Sequence, residues 1–442
     1  MLHRTPINDA EIAGLFDGPA WIAAMARFEA ALADAQAALG VIPDTAARAI
    51  AAALARPPLT PEAVATAAMT DGNPAIPFVR LVGQAVDDPQ VAGWIHFGAT
   101  SQDLIDSAMM LMTNQALAVL DQRLTTVGDR LAAHAIAERE TVVVARTLGQ
   151  HALPTSLGAK IAFWLDPLVR HRDRLARLRR TAVTLQFGGA VGTLAAFGPD
   201  TARALTIDLA QRLGLGVPAV PWHSTRDRVA DVVHGLAQIT AACAKTARDV
   251  QLLMQTEIAE LAEGRAGGSS TMPHKRNPVL TPRILAAHQA IAPLTGQAIT
   301  AAVGDQERSA GPWHGEWALI PEAAELCGVA LAATDALLDA LVINRDRMRR
   351  NLAMTQGLAF AEALTFALAP VLGRDRAKGL VGRLASQVRD DGTSLQMAAA
   401  ADPTVTTHLS PAAIQAVFDP LASIGQARQI VDETVRLWQL PS

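Results

Sequence analysis

The sequence predicts an all-α protein built around a central bundle of long helices. Three observations predict this fold class. Apolar residues recur at helical spacing through most of the 442 residues, a long stretch near the middle lacks proline, and runs of β-branched residues are short. Half of the residues are hydrophobic, which is enough to fill a large core.

The first long helix is predicted from apolar residues that step by four and three positions: Trp21, Met25, Phe28, Leu32, Ala35 and Leu39. Gly40 and Pro43 are expected to end it. The same spacing recurs further on, in Leu117, Leu120, Leu124, Val127 and Leu131. The clearest strand signal is TVVVA at 141–145, and it is short.

The longest helix is predicted for Arg226 to Leu261, a proline-free stretch about 50 Å long at 1.5 Å per residue. Such a helix exceeds one compact domain, so we expect an extended bundle that continues into other subunits. The polar turn at 98–103 and the segment 373–380 suggest coarse divisions. We therefore expect an N-terminal helical domain at 1–105, a central bundle at 106–350 and a C-terminal helical domain at 351–442.

Composition excludes several classes of protein. A net charge of −4 and a pI near 6.3 argue against a nucleic-acid or membrane-surface partner. Only Cys243 and Cys327 are present, which favours neither disulfides nor a cysteine metal site and fits a reducing cytoplasm. The chain shows no signal-peptide pattern, no apolar run of membrane-spanning length and no metal-ligand spacing, so we expect no membrane, metal or cofactor.

Four polar segments interrupt the helical pattern, and each begins or ends a long helix, where free backbone N–H groups can meet an anion. The segments are HFGATSQDLIDSA (96–108), ARTLGQHALPTS (145–156), WHSTRDRVAD (222–231) and GRAGGSSTMPHKRNPV (264–279). Structural alternatives stay open for the first three: a helix cap at Thr100 and Ser101, a turn at Gln150 and His151, and a solvated helix start at Arg226. The fourth combines two adjacent glycines with hydroxyls, an amide and cations, which is unusual for a structural loop.

The fourth segment contains GSSTMPHKRNP (268–278), which resembles the signature of the fumarase/aspartase superfamily. GATSQD, RTLGQHA and RDR fall in the order and spacing of that family. Its members are homotetrameric all-α lyases that add or remove a group β to a carboxylate. Within the family, the chain is most similar to bacterial cycloisomerases, through FEAALADAQAALGVIP (28–43), GGAVGTLAAFG (188–198), PWHSTRDRVAD (221–231) and QERSAGPWHGEW (306–317).

The resemblance implies a small tricarboxylate substrate, in which one carboxylate adds to a double bond while a proton is added beside another. It implies that Ser269 moves the proton, with His151 as a second candidate, and that Lys275 clamps a carboxylate. The other expected substrate contacts are His96, Thr100, Ser101, Thr147, Gln150, Arg226, Ser270, Asn277 and Arg308. It also implies a homotetramer whose active sites are shared between subunits, without a cofactor.

One position departs from the family pattern. Many of these lyases have a Thr-His pair where this chain has Thr147 and Leu148, so a usual histidine acid or base is missing. This disfavours the amine-expelling alternatives, adenylosuccinate and argininosuccinate lyase, because ring closure expels no amine. A non-catalytic member of the fold is a third possibility, which the intact segment with Ser269 and Lys275 disfavours.

Overall fold

A computed structural model describes residues 7–55, 59–265, 267–268, 272 and 274–440. Most of these residues are helical, so the predicted all-α class is confirmed. The helices are α1 (Ala10–Gly14), α2 (Gly18–Ala38), α3 (Asp44–Ala55), α4 (Pro61–Asp71), α5 (Ala75–Gln84), α6 (Pro89–Ala92), α7 (Ser101–Ala137), α8 (Leu157–Thr181), α9 (Pro199–Leu213), α10 (Asp227–Leu253), α11 (Leu280–Ala301), α12 (Pro312–Glu316), α13 (Leu319–Asp339), α14 (Arg345–Ala353), α15 (Ala361–Leu372), α16 (Arg374–Asp391), α17 (Leu395–Ala401), α18 (Pro403–His408), α19 (Pro411–Val417) and α20 (Ala427–Gln439). The strands are β1 (Val142–Thr147), β2 (Gln150–Ser156), β3 (Leu261–Glu263) and β4 (Leu341–Ile343).

The described residues form two compact units, each assembled from segments that are distant in sequence. The first unit comprises 1–124, 171–244 and 283–332, and the second comprises 125–170, 245–282 and 333–442. Every boundary between these segments falls inside a helix, namely α7, α8, α10, α11 or α13. The three domains expected from the sequence are consecutive segments, and their boundaries stay a prediction.

In the first unit, α2 follows the predicted pattern closely. The Asp17 side chain accepts a hydrogen bond from the backbone N–H of Ala20 at 2.9 Å, which caps the helix start. Phe28 and Leu32 are buried, and the helix packs on α3 and α9. The helix ends at Ala38, just before Gly40 takes a positive φ of 68°.

The helix expected from Arg226 to Leu261 is shorter than predicted. It begins at Asp227 and ends at Leu253, a length of 27 residues or about 40 Å. Beyond it the chain turns, with Ala259 at a positive φ of 50°, and the N–H of Glu260 bonds back to the carbonyl of Leu253 at 2.9 Å. Leu261 then starts β3, which pairs with β4. The apolar spacing continued through this turn, which is why the prediction ran too far.

In the second unit, β1 and β2 form the antiparallel hairpin that TVVVA predicted in part. Thr147 pairs with Gln150 across a two-residue turn, in which Leu148 and Gly149 both have positive φ, at 51° and 79°. Two consecutive positive φ values are the mark of a type I′ turn, whose twist matches that of the strands. The turn therefore places Thr147 and Gln150 at an exposed tip.

One stretch of the described residues, Pro312–Asp339, is long and apolar enough to cross a membrane by length and composition alone. Its most apolar window is 72% buried inside the protein, as expected for a core helix.

Candidate active site

Asp103 organises the polar turn that precedes α7. Its side chain is completely buried and accepts hydrogen bonds from the backbone N–H groups of Thr100 (3.1 Å), Gly188 (2.9 Å) and Gly189 (2.9 Å). The amide of Gln186 donates to it at 3.0 Å, and Nε2 of His223 lies 3.0 Å away. A buried carboxylate with this many donors is well satisfied, so it fixes the turn against the segment 186–189.

Two glycines allow the polar turn before α7 to lie close to the chain around residues 186–197. Gly98 has a φ of 73°, and a Cβ there would lie 2.3 Å from the ring of Phe197. Gly189 has a φ of 67°, and its Cβ would lie 3.1 Å from the carbonyl oxygen of Gly98. Any larger residue at Gly98 would both strain the backbone and displace the phenyl ring.

Thr100 and Arg308, two of the expected carboxylate contacts, are in direct contact. Nη2 of Arg308 donates to the Thr100 hydroxyl at 2.8 Å and to the carbonyl of Ala190 at 3.3 Å. Nε of Arg308 is buried and finds no hydrogen-bond partner among the described residues. Ser101 is the first residue of α7 and is partly buried beside them. A free guanidinium donor next to a hydroxyl and a helix N-terminus suits a carboxylate.

His96 lies in the same turn and has a φ of 60°. Its Nδ1 is 2.5 Å from Oε1 of Glu29, a residue that is only 1% exposed. Burial lowers the pKa of His96, but the carboxylates of Glu29 and, more weakly, Asp103 outweigh burial and raise the pKa above its usual value. His96 is therefore more easily protonated than a free histidine, and the Glu29 carboxylate balances the charge when it is.

Arg226 has a different environment from the one we expected. It is 4% exposed, and its guanidinium donates to Asp106 through Nη1 (2.7 Å) and Nη2 (3.1 Å), and to Glu316 through Nε (2.8 Å). Burial lowers the pKa of Arg226, and the two carboxylates raise it further than burial lowers it. The donors of Arg226 thus serve buried carboxylates, which favours a structural role over the expected substrate contact. These contacts also exclude the solvated helix start.

The hairpin tip carries Thr147, Gln150 and His151, and a buried ion pair anchors it. His151 is the cross-strand partner of Arg146, whose guanidinium binds both carboxylate oxygens of Glu260, at 2.9 and 2.7 Å. Burial and the nearby charge of Arg146 lower the pKa of His151, and Glu260 opposes this only in part. His151 is therefore mainly neutral at pH 7.

Asn351 completes this anchor. Its Nδ2 donates to Oε1 of Glu260 and to the carbonyl of Ile258, both at 2.8 Å. Glu260 is fully buried, so its two partners satisfy a carboxylate that water cannot reach.

The signature segment is described only in part, and Ser269 and Ser270 lie outside the described residues. Gly267 and Asn277 exchange two backbone hydrogen bonds of 2.9 Å, which brings the two sides of the segment together. Lys275 is exposed, and its N–H bonds to the carbonyl of Met272 at 3.0 Å. Lys275 and Asn277 thus lie near the place where the two sides meet.

Glu263 holds the base of this segment. It is 2% exposed and accepts hydrogen bonds from the N–H groups of Val279 (2.8 Å), Leu280 (3.0 Å) and Thr281 (2.8 Å) at the start of α11. The Glu263 carboxylate precedes the signature segment and therefore caps α11, the helix that follows it. Nothing in the local sequence distinguishes Glu263, Glu260 or Glu29 from other glutamates, so their roles cannot be predicted from sequence patterns.

The expected site residues fall into two sets. The first unit contains His96, Thr100, Ser101, Arg226 and Arg308, and the second contains Thr147, Gln150, His151, Lys275 and Asn277. Neither set includes a cluster of three or more metal-ligating side chains in the described part of the chain.

Comparisons with known proteins identify the family of this chain. A family model described as "Lyase" matches residues 16–287, and one described as "Adenylosuccinate lyase C-terminus" matches residues 357–434. The chain is 43% identical over 432 residues to the 3-carboxy-cis,cis-muconate cycloisomerase of Bradyrhizobium diazoefficiens, which covers 96% of this chain and 95% of that protein. It is 38% identical over 429 residues to the nitrosuccinate lyase of Streptomyces davaonensis, which covers 94% and 90%.

Among solved structures, the chain is similar to the 3-carboxy-cis,cis-muconate lactonizing enzyme from Pseudomonas putida. The two superimpose with a TM-score of 0.92 at 37% identity, over 99% of each chain.

Proposed function

The chain belongs to the lyase family of the fumarase/aspartase superfamily, and from this premise we propose that it is a 3-carboxy-cis,cis-muconate cycloisomerase. The observation that carries the proposal is the match to relatives of that activity at 41–43% identity over 96% of the chain. The residues of the family signature are retained, including Lys275 and Asn277. The reaction closes a lactone ring by adding one carboxylate of the substrate across a double bond.

The substrate is a trianion, so the site must supply several positive or hydrogen-bond-donating groups. Arg308 brings its guanidinium beside the Thr100 hydroxyl, and His96, whose pKa is raised by Glu29, is a further donor in the same turn. Thr147, Gln150 and Lys275 are the further contacts. Electrostatic attraction to these groups binds the trianion. It accelerates the reaction only at groups that bind the transition state more strongly than the substrate, because negative charge has moved toward them.

The reaction has two bond-forming steps. A carboxylate oxygen attacks one end of a conjugated double bond, and the electron pair moves toward the carboxylate at the other end, which gives an enediolate. An acid then protonates the carbon beside that carboxylate. Three carboxylates become two carboxylates and one ester, so each turnover takes up one proton from solvent. The donors that face the enediolate lower the barrier, because this is the group that gains charge.

Ser269 is the proposed proton carrier, with His151 as the second candidate. A serine hydroxyl can protonate a strongly basic enediolate without a large pKa shift, and solvent then returns the proton. The lowered pKa of His151 makes its imidazolium scarce at pH 7, which supports Ser269 over His151. We further propose that Ser270 bonds the backbone of its own segment.

We also propose a cytoplasmic homotetramer with active sites shared between subunits. Membership of this lyase family, whose members are homotetramers by resemblance, supports this part of the proposal. A monomer with full activity in sedimentation would refute this part of the proposal.

The test is a substrate panel that is followed by ultraviolet absorbance and by proton uptake in weak buffer. A cycloisomerase removes the diene absorbance and takes up one proton for each molecule converted. The second candidate is a C–N lyase, which the identity to nitrosuccinate lyase favours. A lyase forms a new double bond, so absorbance would rise. Conversion of a nitrogen-bearing succinate with no turnover of the diene would overturn the proposal.

A further inference from the structure

A buried arginine lies between two carboxylates in the first unit. Arg226 joins Asp106, in the first turns of α7, to Glu316, the last residue of α12. The indole N–H of Trp313, also in α12, donates to Oδ1 of Asp106 at 3.0 Å. The guanidinium carbon of Arg226 lies 4.8 Å from the centre of the Trp222 ring, which packs on it from another side. These contacts fasten α12 to the beginning of α7.

Arg308 lies in the segment that directly precedes α12. Residues 302–311 form no helix or strand, and Gln306 and Gly311 have positive φ, at 46° and 108°. The Ser309 hydroxyl accepts a bond from the N–H of Asp305 at 2.8 Å, which is a local contact. Arg308 reaches Thr100, one residue before α7, while α12 is held to Asp106 on the same helix. Two attachments of this segment, Arg308 to Thr100 and α12 to Asp106, therefore lie at the start of α7, and a third joins Arg308 to the carbonyl of Ala190.

The chemistry of the cluster requires an arginine. Two carboxylates share one guanidinium, whose planar fork faces Asp106 with two nitrogens and Glu316 with a third. A lysine offers one nitrogen on a flexible stem and cannot hold both carboxylates in these directions. Oε1 of Glu316 is buried and has no partner among the described residues, so the hydrogen bonds described for the Glu316 carboxylate come from Arg226 alone.

We propose that Arg226, through Asp106 and Glu316, is a positioning residue that holds Arg308 in register with Thr100 for binding a substrate carboxylate. This inference rests on the proposed function and deepens it. Arg226 itself touches no substrate. Its replacement acts on affinity by displacing the α12 segment and the Arg308 guanidinium with it.

The test is a double-mutant cycle of Arg226→Lys, Arg308→Ala and the combined variant. KM is measured for 3-carboxy-cis,cis-muconate, and Kd is measured by calorimetry for propane-1,2,3-tricarboxylate, a trianion that cannot react. We expect Arg226→Lys to weaken both about tenfold with a smaller change in kcat. The combined variant should bind no more weakly than Arg308→Ala alone, because Arg226 has nothing to position once the guanidinium is gone.

Arg123→Lys is the control, because Arg123 is another arginine that pairs with two carboxylates, Asp9 and Glu11, although it is less buried than Arg226. It should lose stability without a change in KM or Kd. Where Arg226→Lys fails to fold, Glu316→Gln replaces it, since this change keeps the shape and removes only the charge. Losses that add in the combined variant would show that Arg226 acts independently of Arg308 and would overturn the inference. An unchanged Kd in Arg226→Lys and in Glu316→Gln would overturn it as well. A wild type that binds the trianion but leaves the diene unconverted would instead refute the proposed function.

Discussion

Replacing Glu263 with alanine tests whether the base of the signature segment is held by one side chain. The Glu263 carboxylate accepts three backbone N–H groups at the start of α11, from Val279, Leu280 and Thr281, at 2.8 to 3.0 Å. An alanine cannot accept any of them. The first turn of a helix has no other intrahelical acceptor for these groups, so all three bonds are lost together.

The size of the effect follows from the number of bonds. At about 1 kcal/mol net for each hydrogen bond, the loss is about 3 kcal/mol. A tenfold change in an equilibrium corresponds to about 1.4 kcal/mol, so the population with this base open should rise about a hundredfold. Glu263→Gln keeps one acceptor oxygen and should show roughly half of the loss in free energy.

Limited proteolysis measures this opening directly. Trypsin cuts after Arg265, Lys275 and Arg276, all of which are exposed. We expect cleavage at these sites to be up to about a hundredfold faster in Glu263→Ala, provided that opening limits the rate. The matched control is Asp402→Ala, which removes a carboxylate that caps α18 through Thr404 and Val405. A cleavage rate in Glu263→Ala within twofold of the wild type would refute the reasoning.

Three further predictions concern the proton carrier and two histidines. Ser269→Ala should lower kcat about 10²- to 10⁴-fold with binding largely kept, and Ser270→Ala should have a milder effect; full kcat in Ser269→Ala would contradict the assignment. Glu29 raises the pKa of His96 in the folded protein. The pair therefore contributes its full stability below the unfolded pKa and loses that contribution as pH rises through the folded pKa. The difference in unfolding midpoint between wild type and His96→Gln should shrink as pH rises from about 6 to about 9. The pKa of His151 is lowered, so kcat should stay level from about pH 6.5 to about pH 8, whereas a tenfold fall per pH unit would assign the proton to His151.

The sequence predicted the helices well where the apolar pattern and the end signals coincide. In α2, the regular spacing from Trp21 is closed by Gly40, and the structure agrees with both. The pattern failed after Leu253, because Ile258 and Leu261 keep helical spacing while a turn and a strand take over. Apolar spacing records which side chains are buried, and a turn can bury the same side chains.

The candidate site was predictable to the extent that its residues lie in unusual segments. Thr100 and Arg308 could be named in advance, and they are in contact. The role of Arg226 depends on Asp106 and Glu316, which are 120 and 90 positions away in sequence. Glu263 and Glu260 likewise act on groups that only the folded chain brings near. Spacing within a segment carries no information about such partners.

The division of α7, α8, α10, α11 and α13 between two compact units has a consequence for the gene. Every junction between the units falls within a helix. Dividing the chain at a junction therefore splits that helix into two parts, each with one new end. Neither unit can be expressed as one continuous fragment, because each is encoded in three separated stretches. Recombination that exchanges one unit between relatives would need five crossovers, each in the reading frame of a helix. Variation in this chain is therefore expected to accumulate residue by residue rather than by exchange of modules.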